Sequence, residues 1–323
     1  MNNSKETNNK PQTTNHKHFH PFISFFRFLL KSQNQHGLHS PFVYELVTRC
    51  FYDKTKYPEY EVLENYRKEL LKEKRKISVT DFGAGSRVFK SKEREIAAIA
   101  RNVGIPKKRA KFLFRLAKYL ECRDILELGT SLGIGTSALA LNTNARIISV
   151  EGCPETAGAA RRQLEKFRFD NVELKVGEFE EVLGDIVESG EKKVESGDEV
   201  ENKQQTINQK PQTAHEASSV KDKSQTSQKL RTQNRKQQTT FDLIYFDGHH
   251  TKEATLKYFE LLLPTAHNDS VFIFDDIHWS AGMEEAWEII KKHPEVRVSI
   301  DTFHLGLIFF RKEQAKQDFI IRL

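Results

Sequence analysis

The sequence predicts an α/β protein, with a seven-stranded, mostly parallel sheet that ends in an antiparallel strand pair and follows a helical N-terminal region. Three observations predict it. After Arg123, short apolar runs alternate with stretches of helical period, which implies parallel strands joined by helical crossovers. Near the C-terminus, Val296–Ile300 and Leu305–Phe310 are separated by too short a link for a crossover, so they pair antiparallel. Before Arg123, the folded stretches read as helices.

Residues 1–18 are rich in Asn, Lys, Thr and Gln and have little to bury, so they are expected to be a disordered tail. The helical region then spans 19–111, on the cap or substrate side, and the α/β domain spans 112–323. Ser40-Pro41 opens a helix with proline in its first turn. Glu59–Lys76 reads as a charged helix, and Glu93–Asn102 and Lys107–Leu120 as two more, joined by Val103-Gly104-Ile105-Pro106. In the domain, strands are expected at Ile125–Leu128, Ile147–Val150, Val172–Val176, Leu243–Phe246 and Val271–Phe274, before the final pair. Helices are expected at Thr136–Leu141, Pro154–Phe167, from Phe179, at Lys252–Leu263 and at Met283–His293. Residues 188–240, rich in Lys, Gln, Glu, Ser and Thr, read as a disordered insertion between the third and fourth strands. The cost of closing such a loop grows only logarithmically with its length.

The net charge of +6 is unevenly spread, with 25 basic and 11 acidic residues among the first 120. The α/β portion outside the insertion is acidic. Such asymmetry means either an anionic partner or docking of one part on the other. Cys50, Cys122 and Cys153 lie far apart without metal spacing and read as reduced thiols of a cytoplasmic protein. The polar N-terminus shows no secretory signal. Phe22–Leu30 is too short to span a bilayer and contains Arg27, so no transmembrane segment is expected. It reads as a packed helix or as one lying on a membrane surface.

Glu127-Leu128-Gly129-Thr130-Ser131-Leu132-Gly133-Ile134-Gly135-Thr136 closes the first strand of the sheet and enters a helix. Glycines let the backbone turn sharply there, and the helix start offers free amides to an anionic group. The spacing does not form G-x-G-x-x-G, so the dinucleotide fingerprint is absent. Glu151 ends the second strand, where a carboxylate accepts hydrogen bonds from ribose hydroxyls. This combination resembles the first two motifs of class I methyltransferases, which have a Rossmann-like fold and bind S-adenosylmethionine. The resemblance implies that Gly129, Thr130, Ser131, Gly133 and Gly135 form the cofactor loop and that Glu151 takes the ribose. It also places Glu178 at the adenine, with Glu127 and Asp247 completing the cofactor-binding set. Val79-Thr80-Asp81-Phe82-Gly83-Ala84-Gly85-Ser86 looks like a second such loop, but no second strand ending in an acid follows. It reads as a turn of the N-terminal region, or else as a lid or substrate-contact loop.

Phe246-Asp247-Gly248-His249-His250 ends the fourth strand and Phe274-Asp275-Asp276-Ile277-His278-Trp279 the fifth. Neighbouring parallel strands bring Asp247, Asp275 and Asp276 together, and three carboxylates so close repel unless protonated or bound to a cation. Oxygen-only ligands suit Mg²⁺ or a similar divalent ion. The constellation looks like that of the catechol-type, metal-dependent O-methyltransferases, with Asp276 where that family has an amide. The resemblance implies His250 as the base that takes the acceptor's proton, with His249 and His278 as alternates. The competing reading is that Asp-Gly-His-His only caps the following helix and Asp275-Asp276 only closes a turn. More broadly, the region around His39-Ser40-Pro41-Phe42 and the whole layout resemble uncharacterised bacterial methyltransferases.

Ile96–Ile105 followed by the basic helix with Lys107, Lys108, Arg109, Lys111, Arg115 and Lys118 resembles a helix-turn-helix. That leaves two readings: phosphate contacts to nucleic acid, or a helical cap with a solvated basic face. The expected activity is methyl transfer to a hydroxyl of a small-molecule acceptor. The alternatives are an RNA methyltransferase and a non-catalytic module that binds cofactor or a partner. The reading allows a homodimer.

Overall fold

The computed structural model describes residues 16–80, 91–142, 144–192 and 239–323. The expected tail as far as residue 15, most of the expected insertion and the glycine loop Asp81–Ser86 lie outside the described residues. Helix α1 (His16–Lys31) starts inside the expected tail. Ser40 caps α2 (Pro41–Leu46), its hydroxyl accepting from the Val43 N–H at 3.4 Å. A π-helical turn follows at Val47–Phe51.

The expected helix Glu59–Lys76 is shorter than its charge pattern suggested. Helix α3 (Glu59–Leu70) ends, and β1 (Lys76–Ser78) pairs antiparallel with β2 (Glu93–Glu95). Lys76 lies opposite Glu95, a favourable cross-strand charge pair. The expected helix from Glu93 therefore begins only at Ile96, as α4 (Ile96–Asn102), and α5 (Lys107–Tyr119) follows.

The domain then alternates as expected: β3 (Asp124–Leu128), α6 (Ile134–Ala140), β4 (Arg146–Glu151), α7 (Pro154–Lys166), β5 (Val172–Val176) and α8 (Phe179–Lys192). After the insertion come β6 (Leu243–Phe246), α9 (Lys252–Leu262), β7 (Val271–Asp275), α10 (Ala281–Lys292), β8 (Val298–Asp301), β9 (Leu305–Phe309) and β10 (Gln317–Ile320). The sheet order is β10-β8-β9-β7-β6-β3-β4-β5. Only β9 runs against its neighbours β7 and β8, so the antiparallel C-terminal pair is present in a Rossmann-like sheet. Among the described residues the sheet has eight strands where seven were expected: β10 adds a parallel edge beside β8.

The chain reverses its direction of travel between β3 and β6, which opens a crevice at the carboxyl ends of those strands. Strands β6 and β7 are buried on both faces, so their sequences are unbroken apolar runs. On one face Ile125, Ile147 and Ile273 pack with Leu63, Tyr66, Leu113 and Phe114 of the N-terminal helices. On the other, Leu126, Ile244 and Phe272 pack with Leu183, Phe259 and Trp287. The N-terminal region is thus a layer of the same core.

Candidate active site

The glycine loop owes its shape first to close packing. Gly129, at φ 103°, has no room for a Cβ, which would run into the Asp247 carbonyl oxygen. Gly133 is left-handed at φ 76°, and a Cβ there would sit 2.5 Å from the Tyr66 hydroxyl. That hydroxyl donates to the Leu132 carbonyl oxygen at 2.9 Å, so α3 clamps the loop from behind.

Glu151 meets the loop from the end of β4. Its carboxylate accepts from the Ser131 N–H at 2.8 Å and from the Cys153 N–H at 2.9 Å. Each oxygen retains a lone pair for a further donor. Burial pushes this carboxyl up, while the two backbone N–H groups hold it down. Glu127 is fully buried, accepting from Thr136 Oγ1 at 2.5 Å and Ser149 Oγ at 2.6 Å. Its Oε1 is buried with no hydrogen-bond partner among the described residues, and burial raises its pKa to about 7. Thr130 is also buried and shares a 2.5 Å hydrogen bond with Ser149.

A cavity of about 640 Å³ opens over these groups. Of the expected cofactor residues, Gly129, Ser131, Glu151 and Asp247 line it. Glu127, Thr130, Gly133 and Gly135 stand behind the wall. Glu178 is exposed and does not line the cavity, whereas its neighbour Phe179 does. Phe179 stacks on the His249 ring at 4.9 Å between centroids, an aromatic pair in the cavity wall that the sequence did not flag.

Asp247, Asp275 and Asp276 do converge here, but the cation among them is an arginine. Arg109, from α5, donates through Nη1 to both oxygens of Asp275, at 2.6 and 2.9 Å, and lies 3.5 Å from Asp276 Oδ1. Tyr245 donates its hydroxyl to the same Asp275 at 3.3 Å. Burial and the neighbouring Asp275 hold the Asp247 carboxyl well above the usual carboxylate range. No group of three or more His, Cys, Asp or Glu side chains among the described residues could hold a metal ion. The donor set therefore does not fit the divalent cation that the resemblance implied, because a guanidinium already engages its most buried carboxylate.

The three histidines are sorted by their partners. His250 lines the cavity with Nε2 3.9 Å from Asp247 Oδ1. His249 has Nδ1 within 2.8 Å of the Tyr258 hydroxyl, and its ring is taken up by stacking. His278 is bracketed by Glu284 at 2.7 Å and Asp301 at 2.8 Å, so it acts as a strut. His304, missed in the sequence, also lines the cavity, and burial lowers its pKa.

On α5, Lys107 and Lys111 pair with Glu64, Lys118 lies 3.8 Å from Glu59, and Arg115 donates to the Cys50 and Phe51 carbonyl oxygens. The helix-turn-helix reading needs those cations turned outward, and five of its six basic side chains, Arg109 included, are engaged within the chain.

Residues 192–277 match the model of a methyltransferase domain. Catechol O-methyltransferase of Niastella koreensis is 32% identical over 91 residues, which cover 27% of this chain and 41% of that protein. The resemblance to class I methyltransferases of the catechol type holds. The chain spans about two fifths of the length of that curated relative. The domain match includes the ends of β6 and β7 but not the glycine loop or Glu151. Among solved structures, an S-adenosylhomocysteine-bound methyltransferase from Podospora anserina aligns with a TM-score of 0.49 and 13% identity, over 84% of this chain and 97% of that one. An O-methyltransferase from Bacillus cereus in complex with S-adenosylhomocysteine gives 0.44 and 17%, over 83% and 96%.

Proposed function

We propose that the chain is an S-adenosylmethionine-dependent O-methyltransferase acting on a small hydroxylated acceptor. The observation that carries this reading is the geometry of Glu151: its carboxylate ties the glycine loop and borders a cavity of about 640 Å³, within the ~300–1,000 Å³ of small-molecule sites. Glu151 takes the ribose hydroxyls, Ser131 and Gly129 line the amino-acid end, and the Phe179–His249 surface receives the adenine. Glu127, Thr130, Gly133 and Gly135 act from behind, holding the loop in shape. The cofactor, when bound, supplies an electrophilic methyl on sulfonium.

His250 is the base in this reading. Its ring faces the cavity beside Asp247, and an imidazole nitrogen there is placed to accept a proton from a bound hydroxyl. It takes the acceptor's hydroxyl proton, leaving an oxygen nucleophile held close to the methyl group. The internal pairing of α5 favours a small acceptor over RNA.

Transfer of labelled methyl groups from S-adenosylmethionine to a panel of phenols, catechols and aliphatic alcohols tests the proposal. Turnover is expected with at least one acceptor, falling by about 10²–10⁴-fold in His250→Ala with cofactor binding intact. An unchanged rate in His250→Ala removes the histidine from the mechanism. Cofactor binding with no turnover on any acceptor favours the binding-module alternative.

A further inference from the structure

Three carboxylates meet at the ends of β6 and β7, and one side chain from outside the strand–helix repeat answers them. Arg109 lies 166 residues from Asp275 in the chain and reaches across the crevice from the first turn of α5. It keeps 21% of its side chain exposed, and Asp275 keeps 3%. All its described bonds use Nη1. Among the described residues, Nη2 and Nε make no hydrogen bond, although the residue lines the cavity. A planar guanidinium held on its carboxylates through Nη1 alone has the edge formed by Nε and Nη2 left for a second oxygen anion.

We infer that Arg109 is the resident cation of this site: it takes the place of a divalent ion at the strand ends and presents its outer edge to an acceptor oxygen as that oxygen loses its proton. A fixed positive charge aimed at developing negative charge in a low-dielectric cleft stabilises it without reorganisation at the moment of reaction. His250, on the same rim, stands ready to take the proton. The acceptor class that fits is a hydroxyl compound acidic enough to ionise beside a guanidinium, such as a phenol or a catechol. The inference deepens the reading of the site as an O-methyltransferase and rests on it for the identity of the acceptor.

Its test needs neither cofactor nor turnover, so its failure is distinguishable from failure of that reading. Mn²⁺ is titrated into the full-length protein and the free ion is followed by electron paramagnetic resonance. The wild type is expected to hold no Mn²⁺ at equimolar concentrations. Arg109→Ala, which leaves the carboxylates without their cation, is expected to bind one Mn²⁺ at least about tenfold more tightly than the wild type, and to lose it again in the double variant with Asp275→Ala. A wild type that binds one Mn²⁺ stoichiometrically and releases it on Asp275→Asn overturns the inference, whether or not Arg109→Ala folds. So does a folded Arg109→Ala with no gain. In a second arm, 4-nitrocatechol, whose absorbance reports its ionisation, is bound in the presence of EDTA. Its ionisation is expected to move to lower pH on the wild type and to return to the free-solution value on Arg109→Gln. An ionisation that requires added Mg²⁺, or that is the same on both proteins, contradicts the role of the outer edge.

Discussion

Gly129 is the point at which the two halves of the candidate site touch. Only the lack of a Cβ lets it lie beside the Asp247 carbonyl, so the glycine loop and the end of β6 set each other's position. Gly129→Ala is expected to cost about 2–5 kcal/mol, combining a strained φ with overpacking against backbone that cannot yield. The midpoint of urea unfolding measures it, and an unchanged midpoint would mean the contact is loose. At this scale the sequence showed a great deal. Glu151, Asp247 and Asp275 were readable because strand–helix alternation fixes which residues end each strand. Arg109 was not. Nothing in its own helix distinguishes it from Lys107 or Lys108, and its partner is brought to it only by tertiary packing. The one available hint was the excess of carboxylates at the strand ends, which called for a cation without saying which. Phe179 was overlooked for a similar reason, since an apolar residue opening a helix reads as core.

Helices, strands and loops meet at His278. It lies in the turn after β7, bonded to Glu284 in α10 and to Asp301 at the end of β8. His20 of α1 lies 3.3 Å from the same Glu284. Burial pushes the imidazole's pKa down, but the hydrogen bonds and charges of Asp301 and Glu284 outweigh it and raise the value from 6.5 to about 9. A raised basic pKa means that the folded state binds the proton more tightly than the unfolded chain. The stability gained is complete below about pH 6.5 and is lost as pH rises through about 9. At ~1.4 kcal/mol per pKa unit, the network contributes up to about 3 kcal/mol. His278→Gln should therefore be markedly less stable than the wild type near pH 6.5 and nearly equal to it above about pH 9, as read by urea unfolding at both. A gap that stays constant with pH would show that the imidazole is not charged in the folded state. Among the elements, the central strands were legible because they are apolar runs of strand length. The edge strand β10, Gln317-Asp318-Phe319-Ile320, was not, because half of it is exposed and its polar start carries no period. Of the β1–β2 pair, β2 was hidden inside a stretch whose charge pattern also suits a helix, and β1 is only three residues long and begins at the last residue of another.

For the whole molecule, the N-terminal helices complete the site as well as the core. They supply Tyr66 behind the glycine loop and Arg109 in front of the strand ends, and Arg67, Ile105 and Pro106 also line the cavity. The basic N-terminal part and the acidic domain, read in the sequence as either partner binding or mutual docking, meet in the Arg109–Asp275 pair. Among the described residues, no helix is long and apolar enough to cross a membrane. The central claim is that Glu151 and the glycine loop form an adenosyl pocket, and calorimetric titration with S-adenosylhomocysteine, with and without Mg²⁺, tests it most directly. The account predicts one site per chain, weakened at least about tenfold by Glu151→Ala and indifferent to Mg²⁺. Absence of binding to the wild type under both conditions, or full affinity retained in Glu151→Ala, would contradict it.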